Sequence, residues 1–243
     1  MQSHSEAASR QAALPRRRLA GSQPKSLLIV RRSDVGRTLL EDFVSSRFRQ
    51  AYGAKLCHFL PVLLGLKTEA SGLIGVIGAN AAAHSEQLML EHYLDEPLEA
   101  VASRILGRDI PRDTLVEVGN LSTDCPGGGR WLISALAFYL RGAGMRHAVF
   151  TSTAQLRNLF SHLGVELVDL GSADENRLCG HYGQWGSYYQ NSPRISWVDI
   201  QQLCIQVQLM PRVRAAMAGL WNQAYRQGLL SRSGLPGGGF EIQ

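Results

Sequence analysis

Long hydrophobic runs are missing from this chain of 243 residues. No stretch of about 18 or more apolar residues occurs, which excludes a membrane-spanning helix on length alone. The arginines at 10 and 16–18 have no apolar segment behind them, so the N-terminus lacks the pattern of a secretory leader. Cysteine is scarce: Cys57, Cys125, Cys179 and Cys204 lie far apart without a CxxC pair. That spacing argues for reduced thiols in a cytoplasmic protein, and against a disulfide scaffold or a zinc site. His58, His84, His92, His147, His162 and His181 show no HxxxH or HExxH spacing, so no metal is expected.

Excess charge is absent from the middle of the chain. The formal net charge is +5, but residues 1–24 hold four arginines against Glu6, and residues 212–243 hold four more against Glu241. What lies between is close to neutral. A nucleic-acid binder carries its positive charge on the folded surface, so a basic balance confined to the two ends points to solvated termini and no nucleic-acid partner.

What is present is organised around Asp113–Gly142. Leu115, Val116, Val118 and Leu121 make a β-rich apolar run. Pro126, Gly127, Gly128 and Gly129 then free the backbone to turn, and from Trp131 the period becomes helical: Ile133, Leu136, Ala137 and Leu140, closed by Gly142. A glycine loop at a helix N-terminus offers unpaired N–H groups to a phosphate. Three glycines also suffice for a tight turn with no ligand. Arg130 at the helix start opposes the dipole, and a bound phosphate would relieve that.

Around this stretch the pattern predicts a disordered basic tail over 1–24 and a first strand over Ser26–Arg31. A helix follows, capped by Asp34, with Leu40, Val44, Phe48 and Tyr52 as its stripe. Leu56–Leu66 and Leu73–Ala79 read as a hairpin, Glu86–Leu94 as a short helix, and Leu98–Gly107 as a helix entered through Asp95-Glu96-Pro97. His147–Phe150 is a buried strand. Thr151, Ser152 or Thr153 caps a helix that ends at Gly164, and Val165–Leu170 and Arg194–Val198 are further strands. The core therefore spans 25–198, a C-terminal helical region packed on it covers 199–231, interrupted at Pro211, and 232–243 is a flexible tail. An early hairpin followed by βα units makes this an α/β chain with a mixed sheet and helices on both faces.

The words MLEHYLDEPLEA (89–100), VEVGNLS (116–122), FTSTAQLRNLF (150–160) and WGSYY (185–189) resemble the family named for thermostable hemolysins, over roughly residues 35–200. That family is regarded as GNAT-like and is similar, more distantly, to acyl-homoserine-lactone synthases. The resemblance implies a mostly antiparallel GNAT-like sheet. It also implies acyl transfer from a phosphopantetheine thioester, either acyl-CoA or acyl carrier protein, to an amine or amino acid. The family name implies membrane damage instead, and a membrane-active protein is the alternative, to which the arginines, Trp221 and Tyr225 of the last helix would be suited.

By position, the resemblance implies that Glu117 matches the acid of the synthases' central strand and that Asn120 stands where those enzymes have an arginine. Leu121 and Ser122 would serve the pantetheine arm, and Gly127, Gly128, Gly129 and Arg130 its phosphates. Phe160 falls where many GNAT enzymes place an acidic tyrosine, and a phenyl ring has no proton to give.

The residues themselves support a compatible chemistry. Glu117 is an acid in an apolar strand, which burial would turn into a base near neutral pH. It is equally an ammonium anchor or a solvent-facing position. Trp185, Tyr188 and Tyr189 either wall a substrate pocket or pin a loop to the core, and a tyrosine hydroxyl such as that of Tyr188 can supply the missing proton. Arg130, Arg157 and Arg177 are candidates for holding an acidic carrier protein.

Overall fold

A computed structural model describes residues 23–69, 72–178 and 185–233. Strand β1 (Ser26–Val30) leads into helix α1 (Arg37–Tyr52), followed by β2 (Val62–Thr68) and β3 (Gly72–Ala81). Two 3-10 turns, Ala82–His84 and Met89–Tyr93, precede α2 (Leu98–Leu106). Then come β4 (Leu115–Thr123), α3 (Gly128–Gly142), β5 (His147–Ser152), α4 (Ala154–His162) and β6 (Val168–Ser172). The last elements are β7 (Arg194–Asp199), α5 (Ile200–Leu209) and α6 (Pro211–Ser233).

The strands form one mixed sheet in the order β1-β2-β3-β4-β5-β7-β6. Among the described residues only the β4–β5 pair is parallel, and every other neighbouring pair is antiparallel. The expected mostly antiparallel α/β sheet with helices on both faces is what the chain forms. Strand alternation sets the layers. Val116, Ala148 and Phe150 point into the main core, where α3, α5 and α6 supply Leu136, Leu203, Met217 and Trp221. Leu115 and Val149 point the other way, against α2. On that same face α1 covers β1–β3 through Leu40 and Val44.

Helix α6 is part of this core. Its Trp221 stacks on Phe138 at 4.8 Å between centroids, and the indole N–H donates to Ser134 at 3.0 Å. The stripe Val213, Met217, Leu220 and Ala224 is buried. No helix among the described residues is long and apolar enough to cross a membrane.

Several boundaries differ from the sequence pattern. Asp34 does not cap α1: its carboxylate accepts from the Arg31 N–H at 2.7 Å, and Gly36, at φ +88°, occupies the cap. Pro97 itself is the cap residue of α2. The helix expected over Glu86–Leu94 shrinks to the turn Met89–Tyr93, whose opening N–H groups are capped by side-chain carboxylates. Strand β6 starts at Val168, not Val165, whose N–H closes the end of α4 on the Phe160 carbonyl at 3.1 Å. Helix α6 runs on through Arg232 to Ser233. Most of the proposed basic tail, residues 234–243, the hairpin tip at 70–71 and the loop segment 179–184 with Cys179 and His181 lie outside the described residues.

Candidate active site

Strand β4 is held differently on its two sides. Toward β5 the register runs from Leu115–His147 to Val118–Phe150 and stops, although β4 continues to Thr123 and β5 to Ser152. Toward β3 the register slips: Gly78 faces Gly119, yet Val76 faces Ser122, so β4 spends an extra residue there. Asn120 carries the bulge at φ +53°, a conformation asparagine tolerates better than most residues. Its side-chain oxygen accepts from the Leu60 N–H at 2.9 Å.

The result is a cleft between β4 and β5, with a cavity of about 570 Å³ behind it. Its mouth is formed by Asp124, Cys125, Gly127 and Gly129, and its depth by Ile133, Leu136, Ala137, Phe160 and Leu203. The mouth is polar backbone at the N-terminus of α3, where the Gly128 N–H turns back onto the Cys125 carbonyl and the Arg130 N–H onto the Gly127 carbonyl, each at 3.1 Å. The depth is wholly apolar. Asn120, Leu121, Ser122 and Tyr188 line the passage between them. Ser122 is 5% exposed, and its hydroxyl is among the buried polar atoms with no hydrogen-bond partner in the protein. A buried hydroxyl left in that state fits a ligand carrying a polar group at this depth.

The glycines of the loop differ in what they do. Gly127 sits at φ +82°. A Cβ at Gly128 would lie 2.2 Å from the Thr123 hydroxyl oxygen, so this residue is glycine for packing and does not line the cavity. At Gly129 the closest neighbour of an added Cβ is Leu159 at 3.7 Å, and that residue does line it. Arg130 is exposed, its guanidinium folded back near Gly127. Burial pushes the Cys125 thiol upward, which makes it a plain loop cysteine.

Tyr188 lies in the passage, 8% exposed, and its hydroxyl donates to the Thr151 hydroxyl at 3.0 Å. Burial pushes its pKa up to about 12, so it keeps its proton at neutral pH. Phe160, stacked on Phe150 at 5.1 Å, offers no such proton. Tyr188 is held by rings from three directions: Phe48 and Tyr52 of α1, Trp185, and Tyr189. Tyr189 turns away from the cleft, and its hydroxyl pairs with that of Tyr93.

Glu117 is also buried, at 4% exposure, but opens into a second cavity of about 840 Å³. Its carboxylate accepts from the Leu90 N–H at 3.0 Å and the Met89 N–H at 3.3 Å. Desolvation dominates these bonds and raises its pKa to about 7. Trp185, Asn80, His84 and His92 share this cavity. The Leu60 side chain lies beside Gly119, where an added Cβ would approach it to 3.2 Å. The sequence-predicted residues thus divide into two groups flanking one strand: Ser122, Gly129 and Tyr188 on the cleft, Glu117 and Trp185 on the larger cavity.

Sequence reasoning missed Arg47, which lines the cleft mouth from α1 at 3.6 Å from Asp124. It also missed the amides of Met89 and Leu90. Neither had a spacing signal, since both reach the site across more than twenty residues.

A model of the thermostable hemolysin family matches residues 30–204. Comparison with curated proteins gives no significant match. Among solved structures, the AHL synthase LasI is similar with a TM-score of 0.50 at 12% identity, over 74% of this chain and 91% of that one. FeeM, an N-acyl amino acid synthase from uncultured soil microbes, is similar with a TM-score of 0.50 at 17% identity, over 75% and 99%. The likeness is one of fold, a GNAT-like mixed sheet.

Proposed function

The chain belongs to the thermostable hemolysin family, and from that premise and the cleft we propose that it is an acyltransferase. It would move an acyl group from a phosphopantetheine thioester, carried by CoA or by an acyl carrier protein, to an amine or amino acid. The observation that carries this reading is the parallel pair β4–β5 parting after Val118, between a helix N-terminus and an apolar chamber. Such a cleft suits a donor with an anionic arm, an extended polar linker and an apolar tail. The proteins LasI and FeeM, named for acyl-homoserine lactone and N-acyl amino acid synthesis, share the fold and lend the reading support.

In this proposal the diphosphate meets the α3 N-terminus at Gly127–Arg130, with Arg47 across the mouth. The pantetheine passes Leu121 and the unpartnered Ser122 hydroxyl, and the acyl chain enters the chamber of Ile133, Leu136 and Ala137. The acceptor approaches as the free amine from the opposite face, where Glu117 takes a proton from the attacking nitrogen. The amine nitrogen bonds to the thioester carbonyl carbon, the carbon–sulfur bond breaks, and Tyr188 gives a proton to the departing sulfur. An amide and a free thiol result, and exchange with solvent resets both side chains. Asn120, its oxygen committed to Leu60, contributes to the wall and not to the chemistry.

Thermal unfolding of the purified protein with acyl-CoA and with acyl carrier protein, followed by an amine and amino-acid panel, tests this. Stabilisation by one donor and an amide product are expected. Neither donor protecting the fold would remove the proposal.

A further inference from the structure

The turn Met89–Tyr93 has its N-terminal amides held by two acids. The Leu88 N–H donates to Glu91 at 2.7 Å, and the next two, on Met89 and Leu90, donate to Glu117. Two carboxylates at one short turn repel, and something must compensate. Arg112, arriving from the loop before β4, forks onto Glu91 with contacts of 2.6 and 3.1 Å. It also binds Glu99 at 2.7 Å and the carbonyls of Ala82 and Ser85 at 3.2 and 3.1 Å. Glu91 in turn accepts from the Leu98 N–H at 3.0 Å, so it ties the turn to the start of α2. The whole of 82–98, one wall of the larger cavity, hangs on this pair.

We infer that Arg112 and Glu91 are a positioning pair for Glu117: they fix the turn whose two amides aim its carboxylate. Neither residue reaches the cavity where the acceptor is placed. The inference rests on the acyl-transfer reading only for its catalytic meaning. Other groups also face Glu117. Asn80 of β3 bonds to it, and Tyr93 lies within electrostatic reach. Arg31, Arg32, His58, His84, His92 and Arg177 line the same cavity. Those remain unchanged when the pair is altered.

The opposing signs of the two charges make the test sharp. Glu91→Gln removes a neighbouring anion and should move the Glu117 titration down by about one pH unit, whereas Arg112→Gln bares that anion and should move it up by a similar amount. The measurement is carbon-13 NMR of side-chain carboxyls in the full chain, with Glu117→Gln assigning the resonance. The acid limb of the pH–rate profile should shift with it, and Arg112→Lys should restore most of the Arg112→Gln displacement. Shifts in the same direction for both variants, or none, would overturn the inference, since simple loosening of the turn strips the Met89 and Leu90 amides from Glu117 and raises its titration in both. If Arg112→Gln does not fold, Glu91→Gln alone decides: an unmoved or raised titration sinks it. Because the NMR readout needs no turnover, a failure of the acyl-transfer reading stays distinguishable from a failure of this one.

Discussion

Leu90 donates its backbone N–H to the Glu117 carboxylate at 3.0 Å, yet the carboxyl is still held near a pKa of 7. Burial therefore outweighs the bond, and the ionised acid is a net cost to the fold. The sign follows from linkage: a carboxyl raised from about 4.5 unfolded to about 7 folded favours the native state while protonated, and that advantage is lost as pH rises through 7. Glu117→Gln stays neutral at every pH. Its stability relative to the parent should therefore improve by up to about 3 kcal/mol between about pH 5 and pH 8, measured by denaturant unfolding. The same variant should lose turnover by about 100-fold or more with donor affinity intact. Unchanged turnover would take Glu117 out of the mechanism.

The glycine loop offers a paired comparison. Gly128→Ala pushes a methyl to 2.2 Å from the Thr123 hydroxyl and 2.8 Å from the Cys125 sulfur, and should destabilise the protein by about 1–3 kcal/mol. Gly129→Ala meets only Leu159 at 3.7 Å and gains helix propensity, so its stability should hold or rise slightly. Because Gly129 lines the cleft, that variant should still weaken acyl-donor binding by about tenfold, read by calorimetry. Parental donor affinity in Gly129→Ala would mean the phosphates sit elsewhere.

Tyr188 gives a third test. Removing its hydroxyl breaks the bond to Thr151 and should cost about 1 kcal/mol of stability. As proton donor to the leaving sulfur it should matter far more to rate, so Tyr188→Phe should slow turnover by about 100-fold or more. With its pKa near 12, it should leave no basic limb in the parental pH–rate profile below about pH 10. A donor with a better leaving thiol should rescue Tyr188→Phe selectively. Equal slowing of all donors would assign Tyr188 to packing alone.

The frame of this protein was legible where periodicity and punctuation agree. Leu115–Leu121, the three glycines and Ile133–Leu140 each announced their element, and Thr153 and Gly142 marked boundaries the chain keeps. The pattern failed at the Glu86–Leu94 segment, which has a helix's composition but turns only over Met89–Tyr93, capped there by Glu117 from a later strand. The site was half legible for a similar reason. Its residue types were visible, but their division between two cavities depends on Leu60 lying over Gly119 and on β4 parting from β5. Neither has a local signature. Arg112 was overlooked because its partners, Glu91 and Glu99, precede it across a whole helix.

The membrane-active alternative makes its own demand, and α6 is where it can be tested. For its apolar stripe to meet a bilayer, this helix would have to leave α3, against which it is set through two glycines. A Cβ at Gly142 would sit 2.2 Å from the Tyr225 carbonyl oxygen, and one at Gly228 would sit 2.0 Å from that of Tyr139. The helices thus meet backbone to backbone. Gly228→Ala must separate them and should destabilise the whole domain cooperatively, by about 1–3 kcal/mol, with the chamber-facing side of α3 disturbed as well. Donor protection should fall in parallel, and leakage from anionic vesicles should not rise. If Gly228→Ala instead released α6 without loss of the core, in a separate low-temperature transition, and increased leakage, the helix would be a detachable arm and the lytic reading would displace the enzymatic one.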